Sequence, residues 1–297
     1  MHKILNNLFS LISQVYLSGR PNTWLRVWGE MVVAAALASY PRINLLSLGV
    51  TFIATSPLLW TAGYMLNDVT DIKLDYQHPY RKNRPITTGA LPVKTALIII
   101  VFLAIFSITI GYLVSFTVSV LLCCLAISQI FYTTPPIRLK ERFGYDISIN
   151  AVNSALRYLL GWFSQIPIHS FYISPLLLFI SLKIILFLGH RIQNRTLEQK
   201  NIIRSTITVL SKRTIIYLMG VFFIFSAILC MYMFFAGVLP FQSIFSIIGI
   251  VPLAVFLIKY KTQFLSQEKT LHFRTILYLS YFLLSNIVAY TILIRSK

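Results

Sequence analysis

The sequence predicts an all-α integral membrane fold, a bundle of about nine transmembrane helices. Two observations carry the class. Of 297 residues, 57% are hydrophobic and 11% charged, whereas a soluble domain carries roughly 25% charged residues. The charges are also segregated, because long apolar runs alternate with short segments that hold nearly all the Lys and Arg, the pattern of a polytopic membrane protein. Strands are excluded because the runs are continuous rather than alternating.

Residues 1–22 open the chain as an amphipathic interfacial segment, with Ile4, Leu5, Leu8, Leu11, Ile12 and Val15 on one face and no uninterrupted apolar core of a signal peptide. Apolar runs near the ~20 residues that cross a bilayer then follow at roughly 23–40, 44–66, 94–113, 115–133, 147–166, 172–189, 213–236, 241–258 and 275–294. Pro92, Pro167, Pro175 and Pro240 fall near span ends, where a missing backbone donor is tolerated. No internal repeat or linker divides the chain, so residues 1–297 read as a single domain.

A formal net charge of +18 would suggest nucleic acid in a soluble protein, but these cations sit in loops between apolar spans, so no nucleic-acid partner is expected and the lipid bilayer is the medium. The loops after spans two, four, six and eight carry Lys73, Arg81, Lys82, Arg84, Lys94, Arg138, Lys140, Arg142, Arg191, Arg195, Lys200, Arg204, Lys212, Arg213, Lys259, Lys261, Lys269 and Arg274. The opposite loops hold almost none, Arg42 being the exception. This asymmetry predicts a multi-pass protein of the cell membrane, with the N-terminus and these loops cytoplasmic and the C-terminus outside. Cys123, Cys124 and Cys230 lie in apolar spans without metal-ligand spacing and read as small core residues.

The chemistry gathers at the end of span two, in Asn67-Asp68-Val69-Thr70-Asp71-Ile72-Lys73-Leu74-Asp75. On a continuous helix Asp68, Asp71 and Asp75 fall at i, i+3 and i+7, three like charges on one face that call for a cation. Hard oxygen ligands with room for water suit Mg2+ bridging to a phosphate-bearing substrate. Downstream, His78-Pro79-Tyr80-Arg81-Lys82-Asn83-Arg84-Pro85-Ile86 supplies cations for a diphosphate, with Arg84 best suited to bidentate phosphate binding. His78 reads as a turn residue.

Asn67-Asp68-x-x-Asp71-x-x-x-Asp75 followed by Arg84-Pro85 and Gly89 resembles the first aspartate-rich motif of the UbiA-type membrane prenyltransferases. Arg20-Pro21-x-Thr23-Trp24 and Tyr132-x-x-Pro135-Pro136-x-Arg138-Leu139-Lys140 extend the likeness over nearly the whole chain. The resemblance implies a central cavity opening to the cytoplasmic face. It also implies Mg2+ on Asp68, Asp71 and Asp75, an isoprenyl diphosphate donor and a hydrophobic acceptor. Asn67, Arg81, Lys82, Arg138 and Lys140 are then substrate contacts beside a catalytic Arg84. The second aspartate motif of that family matches His190-Arg191-Ile192-Gln193-Asn194-Arg195-Thr196-Leu197-Glu198 and onward, with Asn194 and Glu198 where the family has aspartates and Ile202 where it has glycine. Asn194 and Glu198 either hold a second Mg2+ weakly, or Arg191, Arg195, Lys200 and Arg204 take over diphosphate neutralisation.

Ionisable residues inside spans complete the candidates. Arg26 and Glu30 stand four apart and can pair, and Arg26 is placed to reach substrate phosphate; Arg157 and Lys183 lie in spans five and six. Two other functions stay open on the same fold. The stretch His78-Pro79-x-Arg81-Lys82-x-Arg84-Pro85-Ile86 is similar to the corresponding part of the decaprenyl-phosphate phosphoribosyltransferases, which implies a phosphoribosyl diphosphate donor and a polyprenyl phosphate acceptor. A non-catalytic transporter or assembly factor would not need the three aspartates as a metal cluster.

Overall fold

The computed structural model describes residues 2–165, 171–192, 195–243 and 267–294. Every regular element of more than a turn among them is helical. In order these are α1 (His2–Ser18), α2 (Trp24–Ser39), α3 (Leu45–Thr70), α4 (Ile72–Tyr76), α5 (Val93–Val114), α6 (Phe116–Thr133), α7 (Tyr145–Phe163), α8 (Ile173–Arg191), α9 (Arg195–Lys200), α10 (Thr206–Val209), α11 (Lys212–Phe235) and α12 (Gln267–Ile294).

Five stretches are long and apolar enough to cross a bilayer: α3, α5, α6, α11 and Ile276–Ile294 of α12. The chain is therefore a multi-pass membrane protein. Helices also form at three other expected spans, but α2 has 16 residues and α7 carries Asp146 and Arg157, so length or charge sets them apart. The run at 241–258 falls almost entirely outside the described residues. Lipid replaces water as the solvent: α5 buries Ala96, Ile100, Ser107 and Gly111, a narrow stripe of mostly small residues, and exposes Ile98, Phe102, Ile105 and Leu113.

The chain forms two compact units, Met1–Trp24 with Val50–Leu139, and Leu25–Gly49 with Lys140–Lys297. In the first, a wide π-helical turn at Ala54–Trp60 accommodates Pro57 in α3. The Ser107 hydroxyl donates to the Ala54 carbonyl at 2.8 Å, which satisfies a backbone group inside the apolar layer. Ala62 and Met65 of α3 pack with Ile86, Leu91, Ala96 and Ile100, and Leu11 and Val15 of α1 close the same core. This core fixes the basic segment against α3, because Ile86 and Leu91 are pinned on either side of a turn at Gly89, whose φ of 79° favours glycine.

In the second unit α2 is buried along most of its length. Gly161 of α7 lies against the backbone of Met31, so any side chain there would collide and the two helices approach at their closest through glycine. Ile184 and Leu188 of α8 pack with Ile207 and Ile215, which ties the α9 and α10 region to the end of α8.

Candidate functional site

The first half of the site lies wholly in the first unit. Asp68 ends α3, Asp75 sits in α4, and Asp71 is the joint between them, with φ −104° and ψ 6°. Helical hydrogen bonds run on through the joint, from the Asp71 amide to the Asn67 carbonyl at 3.0 Å and from the Asp75 amide to the Asp71 carbonyl at 2.8 Å, so the expected helical spacing is kept while Asp71 takes partners of its own. Arg138 Nη2 donates to Asp71 Oδ1 at 2.7 Å and Asn67 Nδ2 to Asp71 Oδ2 at 3.1 Å. Arg138 is able to reach back because its φ of 41° turns the chain after α6, and it also donates to the Thr70 carbonyl at 3.2 Å. Thr133 fixes Asn67 in turn, donating to its Oδ1 at 3.2 Å.

Asp68 and Asp75 do share a partner. Arg84 Nη1 lies 2.8 Å from Asp68 Oδ1 and 2.5 Å from Asp75 Oδ2, so one guanidinium nitrogen bridges two buried carboxylates. Arg20 donates to Asp68 Oδ1 and stands 4.2 Å from the Tyr64 ring centroid, and Arg81 Nη1 is 3.7 Å from Asp75 Oδ1. Lys82 is exposed on the same basic segment. The expected cations thus do meet the expected acids. Burial pushes the Asp75 carboxyl up from its ordinary range, against the opposing pull of Arg84 and Arg81. Burial and the neighbouring Arg20 charge push Arg84 down to about 10, opposed by Asp68 and Asp75. For Arg20 the carboxylates, Asp68 foremost, outweigh burial and raise it.

The donor set suits a hard divalent cation. Asp68 Oδ2 and Asp75 Oδ1 are buried and accept no hydrogen bond among the described residues, the latter facing Arg81 at 3.7 Å. Among the described residues no three His, Cys, Asp or Glu side chains gather as a ligand group. Two carboxylates completed by water and substrate phosphate is nevertheless the usual arrangement for Mg2+, so Asp68 and Asp75 fit that ion, while Asp71 is held by Arg138 and Asn67.

The matching stretch of the second motif lies in the second unit and is locked internally. Arg191 is buried at the end of α8; its Nε and Nη2 donate to the two oxygens of Glu198 at 3.2 and 2.7 Å. Its Nη1 donates to the Lys140 carbonyl at 2.7 Å and to Asp146 Oδ2 at 3.4 Å. Ser205 Oγ adds a bond to Glu198 Oε2 at 2.6 Å. Asp146 takes the Thr206 amide at 3.1 Å and the Thr206 hydroxyl. Glu198 therefore serves as the counterion of Arg191. Asn194 lies outside the described residues. Arg195 starts α9 with its Nη1 buried and without a hydrogen bond among the described residues. Ile202 has a φ of 57°, so the chain keeps the left-handed conformation that glycine would favour while placing a β-branched residue there.

Arg26 lies in the second unit, buried in α2 with its guanidinium 5.3 Å from the Tyr278 ring centroid. Glu30 is bound by Arg157, whose Nε and Nη2 reach its two oxygens at 2.6 and 3.1 Å. Sequence reasoning did not single out Arg20 or Asp146 as site residues. The signal for Arg20 is its place ahead of Pro21 in the Arg20-Pro21-x-Thr23-Trp24 pattern; Asp146 borders span five, where spacing alone gives an acid no partner.

A profile of the UbiA prenyltransferase family matches residues 27–287. The chain belongs to that family. Among curated relatives, a decaprenyl-phosphate phosphoribosyltransferase of Mycobacterium tuberculosis is 25% identical over 172 residues, which cover 55% of this chain and 55% of the relative. The enzyme of the same name from Corynebacterium glutamicum is 31% identical over 148 residues, covering 48% of this chain and 36% of that one. The match thus spans about half the length of such relatives, or less. Among solved structures, a UbiA homologue from Archaeoglobus fulgidus bound to DMAPP and Mg2+ superimposes with a TM-score of 0.74 at 14% identity, over 94% of this chain and 99% of that one. At that identity the likeness establishes the fold.

Proposed function

We propose that this UbiA-family chain transfers an isoprenyl group from an isoprenyl diphosphate to an aromatic or lipid-like acceptor, using Mg2+ held at Asp68 and Asp75. The observation that carries the reading is that each of these two buried carboxylates keeps one oxygen that accepts no hydrogen bond among the described residues, beside arginines already gathered on them. The Mg2+ and DMAPP of the Archaeoglobus homologue support the same donor chemistry. When bound, Mg2+ supplies charge neutralisation to the diphosphate leaving group.

The chain's own residues do the rest. Arg84 and Arg20 stand ready to exchange their carboxylates for phosphate oxygens, and Arg84 is the residue that binds the diphosphate as the carbon–oxygen bond breaks. Asn67 and Arg138 orient Asp71 and through it the helix joint; Arg81 and Lys82 add positive potential over the leaving group. The apolar bundle excludes water from the allylic cation. By the distribution of Lys and Arg, the carboxylate end of α3 faces the cytoplasm.

A second reading has specific support: relatives matched over half of the chain are named decaprenyl-phosphate phosphoribosyltransferases, and the His78 to Ile86 stretch is similar to theirs. The donor is then phosphoribosyl diphosphate and the acceptor a polyprenyl phosphate. Local charge suits either donor, since Arg20, Arg81, Lys82, Arg84 and Arg138 outnumber Asp68, Asp71 and Asp75 by two, and the donor itself decides. The test is a donor screen on purified protein in Mg2+, offering radiolabelled isoprenyl diphosphates and phosphoribosyl diphosphate with aromatic acids and polyprenyl phosphate. Prenylated product supports the first reading, and ribosylated lipid replaces it with the second. Turnover of neither donor leaves a non-catalytic membrane protein.

A further inference from the structure

The second unit buries charge that the proposed transfer does not use. Arg157 on α7 is fully buried and holds Glu30 of α2 through two nitrogens. Arg26 lies one turn before Glu30 on the same helix. Lys183, in the middle of α8, is 6% exposed and makes no hydrogen bond or ion pair among the described residues.

Packing places Lys183 beside these groups. Phe179, one turn earlier on α8, meets the Tyr158 ring at 5.9 Å and the Tyr281 ring at 6.1 Å. Tyr158 follows Arg157, and Tyr281 lies against Gly29, the neighbour of Glu30. Among the described residues, three buried cations and one buried carboxylate thus lie on three helices, α2, α7 and α8, in one packed region, and both oxygens of that carboxylate accept bonds from Arg157. An ammonium in an apolar interior is retained where an anion answers it.

We propose that Lys183, reinforced by the Arg26 and Arg157 charges, binds the anionic head of a lipid-soluble ligand, a carboxylate or phosphate monoester, within the membrane-embedded part of the second unit. Tyr158, Phe179 and Tyr281 supply an aromatic surface beside the head, so the ligand is a hydrophobic body with one anionic group. As the identity of the acceptor's head group, the inference rests on the proposed transfer; as a binding site, it stands apart from it.

The experiment measures binding alone, on the purified full chain in neutral detergent with EDTA and no diphosphate. Farnesyl phosphate, farnesoic acid and farnesol share one tail and differ in the head. At least one of the two anions binds tenfold or more tightly than farnesol; which one identifies the head as phosphate or carboxylate. Lys183→Met and Lys183→Gln each remove that preference while leaving farnesol affinity within about twofold, and Lys183→Arg keeps it. Equal binding of all three probes, or a preference that survives both Lys183→Met and Lys183→Gln, overturns the assignment. Anion binding that vanishes with Lys183→Met in a protein that turns over neither donor would retain the site and discard the transfer reading.

Discussion

Replacing Glu198 with glutamine separates a structural counterion from a metal ligand. Glu198 is 6% exposed, and its two oxygens accept bonds from Arg191 at 3.2 and 2.7 Å and from Ser205 at 2.6 Å. Glutamine keeps the shape and part of the hydrogen bonding but removes the charge, leaving the buried Arg191 with Asp146 at 3.4 Å as its remaining anion. Breaking one side of a buried pair costs about 3–5 kcal/mol, and the surviving Asp146 contact places this case near ~3 kcal/mol. At about 2–4 °C per kcal/mol for a chain of this order, the midpoint of thermal unfolding in detergent falls by about 6 °C or more. The assay is run in EDTA and again in excess Mg2+. The drop is the same in both, because no ion is involved. A midpoint unchanged in EDTA, with a raised Mg2+ requirement for turnover, would refute the counterion role and return Glu198 to the metal.

Asp68→Asn lowers turnover of the true donor by about 100-fold or more, the loss of ~2.7 kcal/mol of transition-state stabilisation; a near wild-type rate without divalent cation would show that this carboxylate is no ligand. Asp71→Asn keeps hydrogen bonding to Asn67 but weakens the Arg138 pair, so its defect is smaller than that of Asp68→Asn in the same kinetic assay; an equal or larger loss would make Asp71 a ligand as well. Ile202→Gly relieves a left-handed residue whose side chain is 86% exposed, and raises stability by about 1 kcal/mol, read as a small increase in unfolding midpoint; a decrease contradicts the strain argument. Single cysteines at Asn83 and Gln199 are labelled by a membrane-impermeant thiol reagent only from the cytoplasmic side in a cysteine-free background. Labelling from opposite sides would remove the single active face.

The sequence by itself determined the class of molecule and the address of its chemistry. Both are local signals: a run of apolar residues must cross a bilayer wherever it folds, and Asp68, Asp71, Asp75 and Arg84 lie within a few turns of one another in the chain. It also placed Arg81 and Arg84 near the carboxylates, because the intervening segment is too short to carry them far.

Only the tertiary structure decided which charge answers which. Helical periodicity gives the face of a residue on its own helix and nothing about the helix opposite. Asp71 has a partner of its own, apart from the arginines on Asp68 and Asp75, because Arg138, 67 positions away, turns back to meet it. Glu30 is held by Arg157, 127 positions away, because Gly161 lets α7 approach the backbone of α2. Glu198, a candidate ligand by spacing, became the partner of Arg191 once the end of α8 packed against the α10 and α11 segment, since a buried guanidinium demands a buried carboxylate. Ile202 kept the backbone of a glycine it does not have: conformation there is imposed by the surrounding turn, and the side chain, pointing into open space, meets nothing that would prevent it.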